Sequence, residues 1–168
     1  METRYETSPI NEVRRADGAF KKIRVQDGQL LVCHGCCCGR VEKGFPALPL
    51  DEFKRQWKAR GIRRRFHLTI SGCLGPCSLA NVVLILFHGS SVWLHSIVSE
   101  QDVTEIFDYI ERMLVARRYL EPPPSLAERQ FQRHLVESTG KLHCEIEEMP
   151  QTSHAADTSL RELCLSGN

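Results

Sequence analysis

Six of the eight cysteines in this 168-residue chain fall into two tight groups. One group lies in the stretch CHGCCC and the other in CLGPC, and the members are Cys33, Cys36, Cys37, Cys38, Cys73 and Cys77. Secreted disulfide proteins are usually short and spread their cysteines along the chain, whereas clustered thiols in a reducing compartment are typical of metal binding or redox chemistry. The two groups therefore predict a fold that brings two cysteine-bearing loops to one site.

Charge and hydropathy narrow the classes of protein to which this chain can belong. No apolar run approaches the roughly 20 residues of a membrane span, and METRYETSPINEVRRADG lacks the apolar stretch of a signal peptide. Lysine plus arginine (22) nearly balances aspartate plus glutamate (21), so no global charge favours nucleic acid or an anionic membrane. We expect a cytoplasmic protein that binds neither nucleic acid nor a membrane.

Hydrophobic periodicity predicts an α/β domain over residues 28–118. Strands are expected in GQLLVC, RRFHLTI, NVVLILF and SVWLHSI, and helices in PLDEFKRQWKARG and SEQDVTEIFDYIERMLVARRYL. Ser99 and Asp102 have the spacing of a capping box at the start of the second helix. A crossover followed by a hairpin and a final helix predicts a thioredoxin-like fold, a mixed four-stranded sheet with packed helices.

Polar segments flank this predicted domain. Residues 1–27 show no sustained period and are expected to form a flexible N-terminal extension. Three successive prolines in EPPPS open a largely flexible C-terminal tail over residues 119–168, in which LAERQFQRHL predicts one more short helix. The two remaining cysteines, Cys144 and Cys164, fall in this tail and imply no site.

The clustered thiols have three physical uses that remain open on spacing alone. Cys33 and Cys36 form the C-x-x-C of a thiol oxidoreductase, although the residues that follow predict a loop and not the helix N-terminus that lowers a thiol pKa. Four thiolates from two pairs also satisfy tetrahedral zinc and would make a zinc-stabilised interaction module with four cysteine ligands. Finally, a C-x4-C pair and a C-x3-C pair on loops at one sheet edge can hold a [2Fe-2S] cluster, with two thiolates to each iron.

The third use matches a known family. Cys33-x4-Cys38-Gly39 with SGCLGPC over residues 71–77 resembles the thioredoxin-like [2Fe-2S] ferredoxins and the related subunit of respiratory NADH dehydrogenase. The resemblance covers about residues 28–115 and implies a one-electron carrier that is not an enzyme. It also implies that one [2Fe-2S] cluster is ligated by Cys33, Cys38, Cys73 and Cys77, and that the protein is a homodimer. The run CHGCCCGR further resembles a subgroup associated with cobalamin-biosynthesis gene neighbourhoods.

The first ligand loop departs from the family pattern. Cys36 and Cys37 are additional thiols in the first ligand loop; Cys38 preserves the C-x4-C spacing, and Cys36 is the second candidate.

A basic stretch over residues 54–65 is interpreted as a solvated face or as a docking patch for an acidic redox partner. Its members are Lys54, Arg55, Lys58, Arg60, Arg63, Arg64 and Arg65.

Overall fold

The computed structural model describes residues 8–134, which form a five-stranded mixed sheet, a separate two-stranded hairpin and three α-helices. The strands are β1 (Ile10–Arg14), β2 (Phe20–Arg24), β3 (Gly28–Cys33), β4 (Phe66–Ser71), β5 (Val83–Phe87), β6 (Ser90–Leu94) and β7 (Gln130–Phe131). The helices are α1 (Leu50–Ala59), α2 (Glu100–Ala116) and α3 (Pro124–Ala127).

The order of the strands confirms the predicted thioredoxin-like arrangement. The large sheet runs β4-β3-β5-β6-β7. The crossover through α1 makes β3 and β4 parallel, whereas β5 pairs antiparallel with β3 and β6 antiparallel with β5. Since β3 and β4 are parallel, their C-terminal ends lie at the same edge of the sheet.

Side-chain alternation gives the sheet two different faces. The face toward α1 and α2 carries the main core, in which Leu30, Ile85 and Phe107 are fully or almost fully buried. The capping box predicted for α2 is present, with the Ser99 hydroxyl accepting from Asp102 N–H and the Asp102 carboxylate accepting from Ser99 N–H. The opposite face carries a smaller apolar cluster that includes Cys33, Cys38 and Trp93.

Three local predictions were wrong. The sheet has a fifth strand, β7, which pairs with β6. Residues 10–24 form the β1-β2 hairpin where we expected no regular structure, although every residue of both strands is exposed. We expected a helix over residues 126–135. The chain instead forms one turn of α3 and then β7, because β7 pairs with β6 at Trp93 on the edge of the sheet.

Other predictions are not tested within residues 8–134. The flexible tail beyond residue 135, with Cys144 and Cys164, lies outside the described residues. The domain limits at residues 28 and 118 stay a prediction. In the part of the chain that the structure describes, no helix has both the length and the apolar character required to cross a membrane.

Candidate metal centre

The two cysteine groups meet because they follow parallel neighbouring strands. Cys33 is the last residue of β3 and pairs with Ser71, the last residue of β4. The loop after β3 is tied to β4 by a hydrogen bond from His34 N–H to the Ser71 carbonyl at 3.1 Å. Across the gap between the loops, the Sγ atoms of Cys36 and Cys77 lie 3.8 Å apart. The predicted convergence of two thiol loops at one sheet edge is thus present.

Two of the thiols are buried beneath the loops. The exposed fraction is 4% for Cys33 and 1% for Cys38. Burial raises the pKa of the Cys33 thiol to about 12, against the opposing effect of a hydrogen bond from Leu74 N–H to its sulfur. The Cys38 sulfur accepts from Val82 N–H at 3.4 Å. Amide donors of this kind stabilise negative charge on thiolates and clusters.

The other four thiols lie toward solvent. The Sγ atoms of Cys36, Cys37 and Cys77 all lie within 4.8 Å of one another, and those of Cys73 and Cys77 lie 3.4 Å apart. Cys36 and Cys73 are exposed, while Cys37 and Cys77 are partly buried. Thiol sulfurs this close together can hold a metal ion, since each offers one soft ligand atom.

Hydrogen bonds among these outer thiols shift their ionisation in opposite directions. The Cys77 thiol and Gly75 N–H donate to the Cys73 sulfur and lower the pKa of Cys73, an effect to which the charge of Arg133 adds. The neighbouring thiols of Cys73, Cys36 and Cys37 raise the pKa of Cys77 to about 12. A metal ligand is the thiolate, so Cys73 is already biased toward the form that binds.

A buried asparagine holds the first loop against the rest of the site. Asn81 is fully buried. Its Oδ1 accepts from Gly39 N–H at 2.8 Å, and its Nδ2 donates to the carbonyls of Ala47 at 2.8 Å and Ile97 at 3.0 Å. Asn81 therefore connects the loop that carries Cys38 with the start of β5 and the approach to α2. Sequence reasoning missed it, because one asparagine before an apolar run carries no distinctive spacing.

The four ligands predicted from the resemblance fall into two pairs in the structure. Cys33 and Cys38 belong to the buried apolar cluster, and Cys73 contacts Cys77 in the outer layer. Cys36 and Cys37 lie close to Cys77 on the solvent side. Two of the predicted ligands, Cys38 and Cys73, accept a backbone N–H on sulfur. The ligand set itself stays a prediction.

The chemistry of the donors fits a [2Fe-2S] cluster better than a catalytic dithiol. A cluster needs thiolates, amide donors to sulfur and protection from water; the two loops offer thiols and amide donors, and Cys33 and Cys38 are protected from water. A thiol nucleophile needs exposure and a lowered pKa. Cys33 is instead buried with a raised pKa, and the chain continues from it into a loop.

The basic stretch over residues 54–65 lies on α1 and on the turn that precedes β4. Five carboxylates neutralise much of its charge: Asp51 pairs with Lys54, Glu52 with Arg55, Asp108 and Glu111 with Arg60, and Asp27 with Arg65. The cysteine loop follows the other end of β4, about 17 Å away at 3.3 Å per strand residue. The cations near the start of β4 are thus separated from the thiols by the length of the strand.

Comparison with known proteins finds distant structural similarity and no sequence family. The chain is similar to the wild-type thioredoxin-like [2Fe-2S] ferredoxin from Aquifex aeolicus, with 18% sequence identity and a TM-score of 0.40. The match covers 65% of this chain and 100% of the ferredoxin chain. No family model and no curated protein matches the sequence. We therefore base the functional proposal on the thiol loops of this chain.

Proposed function

We propose that this protein is a one-electron carrier that binds a single [2Fe-2S] cluster through Cys33, Cys38, Cys73 and Cys77. The observation that carries the proposal is the convergence of two thiol loops at one sheet edge, with backbone N–H groups that donate to the sulfurs of Cys38 and Cys73. When bound, the cluster supplies reversible one-electron exchange.

The buried and the outer cysteines would then have different roles. The buried pair, Cys33 and Cys38, would anchor the irons on the apolar face of the sheet, where burial lowers the dielectric constant and excludes water. The outer pair, Cys73 and Cys77, would place the site close to the surface, so that a partner's cofactor can approach. A carrier of this kind requires no nucleophile and no general base from its side chains.

The partners and the setting form part of the same proposal. We expect a redox partner protein as donor or acceptor, cytoplasmic location and a homodimer, which sedimentation would reveal as twice the chain mass. The association with cobalamin biosynthesis stays an expectation from the resemblance. Because ion pairs neutralise much of the charge over residues 54–65, we favour docking of the partner near the exposed thiol loops. Docking on the basic stretch, as expected from the sequence, is the alternative.

The deciding experiment is anaerobic purification followed by iron and acid-labile sulfide analysis. We expect two irons and two sulfides per chain, a reddish-brown colour and an electron paramagnetic resonance signal that appears only after reduction with dithionite. Stoichiometric zinc and a colourless protein, even after reconstitution with iron and sulfide, would exclude the carrier function.

A zinc-stabilised interaction module is the second candidate, and one observation favours it. The Sγ separations of 3.4 Å between Cys73 and Cys77 and 3.8 Å between Cys36 and Cys77 are close to the spacing of thiolates bound at about 2.3 Å to one tetrahedral zinc. In that case Cys36 or Cys37 would be a ligand in place of a buried thiol. The metal analysis above separates the two functions.

A further inference from the structure

The segment that follows α3 runs along the β6 edge of the sheet, where it forms β7, and brings Arg133 to the second thiol loop. We call residues 128–134 the strap. Arg129 donates to the Ser96 carbonyl at 2.7 Å and pairs with Asp102 at 2.9 Å. Phe131, in β7, packs on Trp93 with ring centroids 5.8 Å apart, and His134 packs on the same indole at 5.6 Å. The strap is therefore fixed at both of its ends.

This anchoring places the guanidinium group of Arg133 over the second thiol loop. A Cβ atom built on Gly75 would lie 2.6 Å from Arg133 Nη2, so the guanidinium group lies directly against the backbone of this loop. Gly75 also has a φ of +113°, a backbone conformation that other residues rarely adopt. The same glycine donates its N–H to the Cys73 sulfur. The loop thus combines a ligand, an amide donor and space for one cation.

The charge of Arg133 lies at the loop that carries a proposed ligand. Its guanidinium group lies against Gly75, and the Gly75 N–H donates to the Cys73 sulfur at 3.3 Å. Reduction of a thiolate-held cluster adds one negative charge close to that sulfur. A nearby cation stabilises the more negative state, so it favours the reduced form and raises the reduction potential.

We propose that Arg133 is a positioning residue that holds a positive charge against the cluster loop and sets a higher reduction potential for the carrier. The inference rests on the proposed function, because only a bound redox group has a potential to set. It assigns a role to the C-terminal segment, beyond the domain limits predicted from the sequence.

The test measures the midpoint potential of the reconstituted full-length protein by spectroscopic redox titration. Arg133→Gln removes the charge and keeps a long polar side chain, so we expect a shift of the midpoint to more negative potential. Arg133→Lys keeps the charge and should restore most of the wild-type value. Arg118→Gln is the control. Arg118 follows the C-terminal end of α2, and the length of this helix, about 25 Å, separates it from Ser99, so the loss of its charge should leave the midpoint unchanged.

Ionic strength separates a charge effect from a structural one. Arg133 is exposed, so salt should screen its charge, and the difference between wild type and Arg133→Gln should shrink as the salt concentration rises. Equal midpoints for wild type and Arg133→Gln at low salt, with iron and sulfide bound in both, would overturn the role of Arg133 and leave the carrier function intact. A wild-type chain that binds no iron would overturn both.

Discussion

Neighbouring cysteines in the thiol site differ in burial and in hydrogen bonding, although they are adjacent in the sequence. Cys36, Cys37 and Cys38 are consecutive, yet only Cys38 is buried and receives a backbone amide on sulfur. Cys36 is exposed and contacts Cys77 from the solvent side. Because an amide donor and a dry environment stabilise a cluster ligand, the structure gives a physical reason to rank Cys38 above Cys36.

Single substitutions in the CHGCCC stretch should therefore have unequal effects. We expect Cys38→Ser to lose most of the bound iron after reconstitution, and Cys36→Ser and Cys37→Ser to keep two irons per chain. Iron and sulfide analysis with the visible spectrum measures this. The same serine replacement at three adjacent positions provides its own control, and iron loss in Cys36→Ser with retention in Cys38→Ser would reverse the ranking.

A second residue-scale prediction concerns Asp27, far from the thiols. Burial opposes ionisation of this carboxyl, but hydrogen bonds from Arg65 and His88 hold its pKa below the usual value. The Arg65 Nη2 to Asp27 Oδ1 distance is 2.6 Å, and the side chain is 13% exposed. A folded-state pKa below the unfolded value of about 3.9 means that the stabilisation is present above that pH and is lost as the pH falls through the folded-state pKa.

Asp27→Asn should consequently lower the free energy of unfolding by about 1.5–3 kcal/mol at pH 7, the range for hydrogen bonds to charged groups. The difference from wild type should shrink below about pH 4. Urea denaturation at pH 7 and pH 3 measures both values. Asp17→Asn is the control, since Asp17 pairs with Arg15 while 53% exposed and should have little effect at either pH. An equal loss for Asp27→Asn at both pH values would contradict the assignment.

Among the elements, those with an apolar face could be predicted from the sequence. Strand β3, helix α1 and helix α2 each bury a periodic set of side chains, and their predicted positions agree with the structure. The β1-β2 hairpin has no buried face and therefore leaves no period to detect. Strand β7 is two residues long and exists because Phe131 packs on Trp93, a contact between residues far apart in sequence.

The convergence of the two cysteine groups could also be predicted from the sequence, because it depends on elements with an apolar face. The apolar periods predict strands β3 and β4, and the helix between them predicts a parallel crossover, which brings the loops of Cys33 and Cys73 to the same edge of the sheet. Arg133 and Asn81 reach the site through tertiary contacts that no local pattern records. The depth of each cysteine likewise depends on the loop path, which is set by Asn81 and by the hydrogen bond that it accepts from Gly39 N–H.

The capping box of α2 gives an element-scale prediction. The Ser99 hydroxyl accepts from Asp102 N–H at 3.1 Å and satisfies one of the free amides of the first helical turn. Ser99→Ala should lower the free energy of unfolding by about 1 kcal/mol, the typical value for an N-cap serine. Urea denaturation measures it, and Ser91→Ala, at an exposed position of β6, is the matched control. Equal midpoints for the two variants would show that the cap adds nothing.

For the whole molecule, the main core and the thiols lie on different sides of the sheet. The core against α1 and α2 contains no cysteine among the described residues, and its largest side chains, among them Phe53, Phe66 and Tyr109, are fully buried. The thiols lie on the opposite face and in the loops above its edge. The described fold is therefore stabilised by a hydrophobic core that does not depend on a metal.

Removal of the metal should consequently leave the chain folded but less stable. A ligand that binds only the native state adds stability, so we expect the metal-free protein to melt roughly 5–10 °C lower than the loaded one. Its far-UV circular dichroism should keep the helix and strand signals, because the core on the α1 and α2 face remains buried. Thermal melts of anaerobically loaded and chelator-stripped samples, both under reducing conditions, make the comparison. A stripped protein with the spectrum of an unfolded chain would instead indicate a metal that is required for folding, as in small zinc domains.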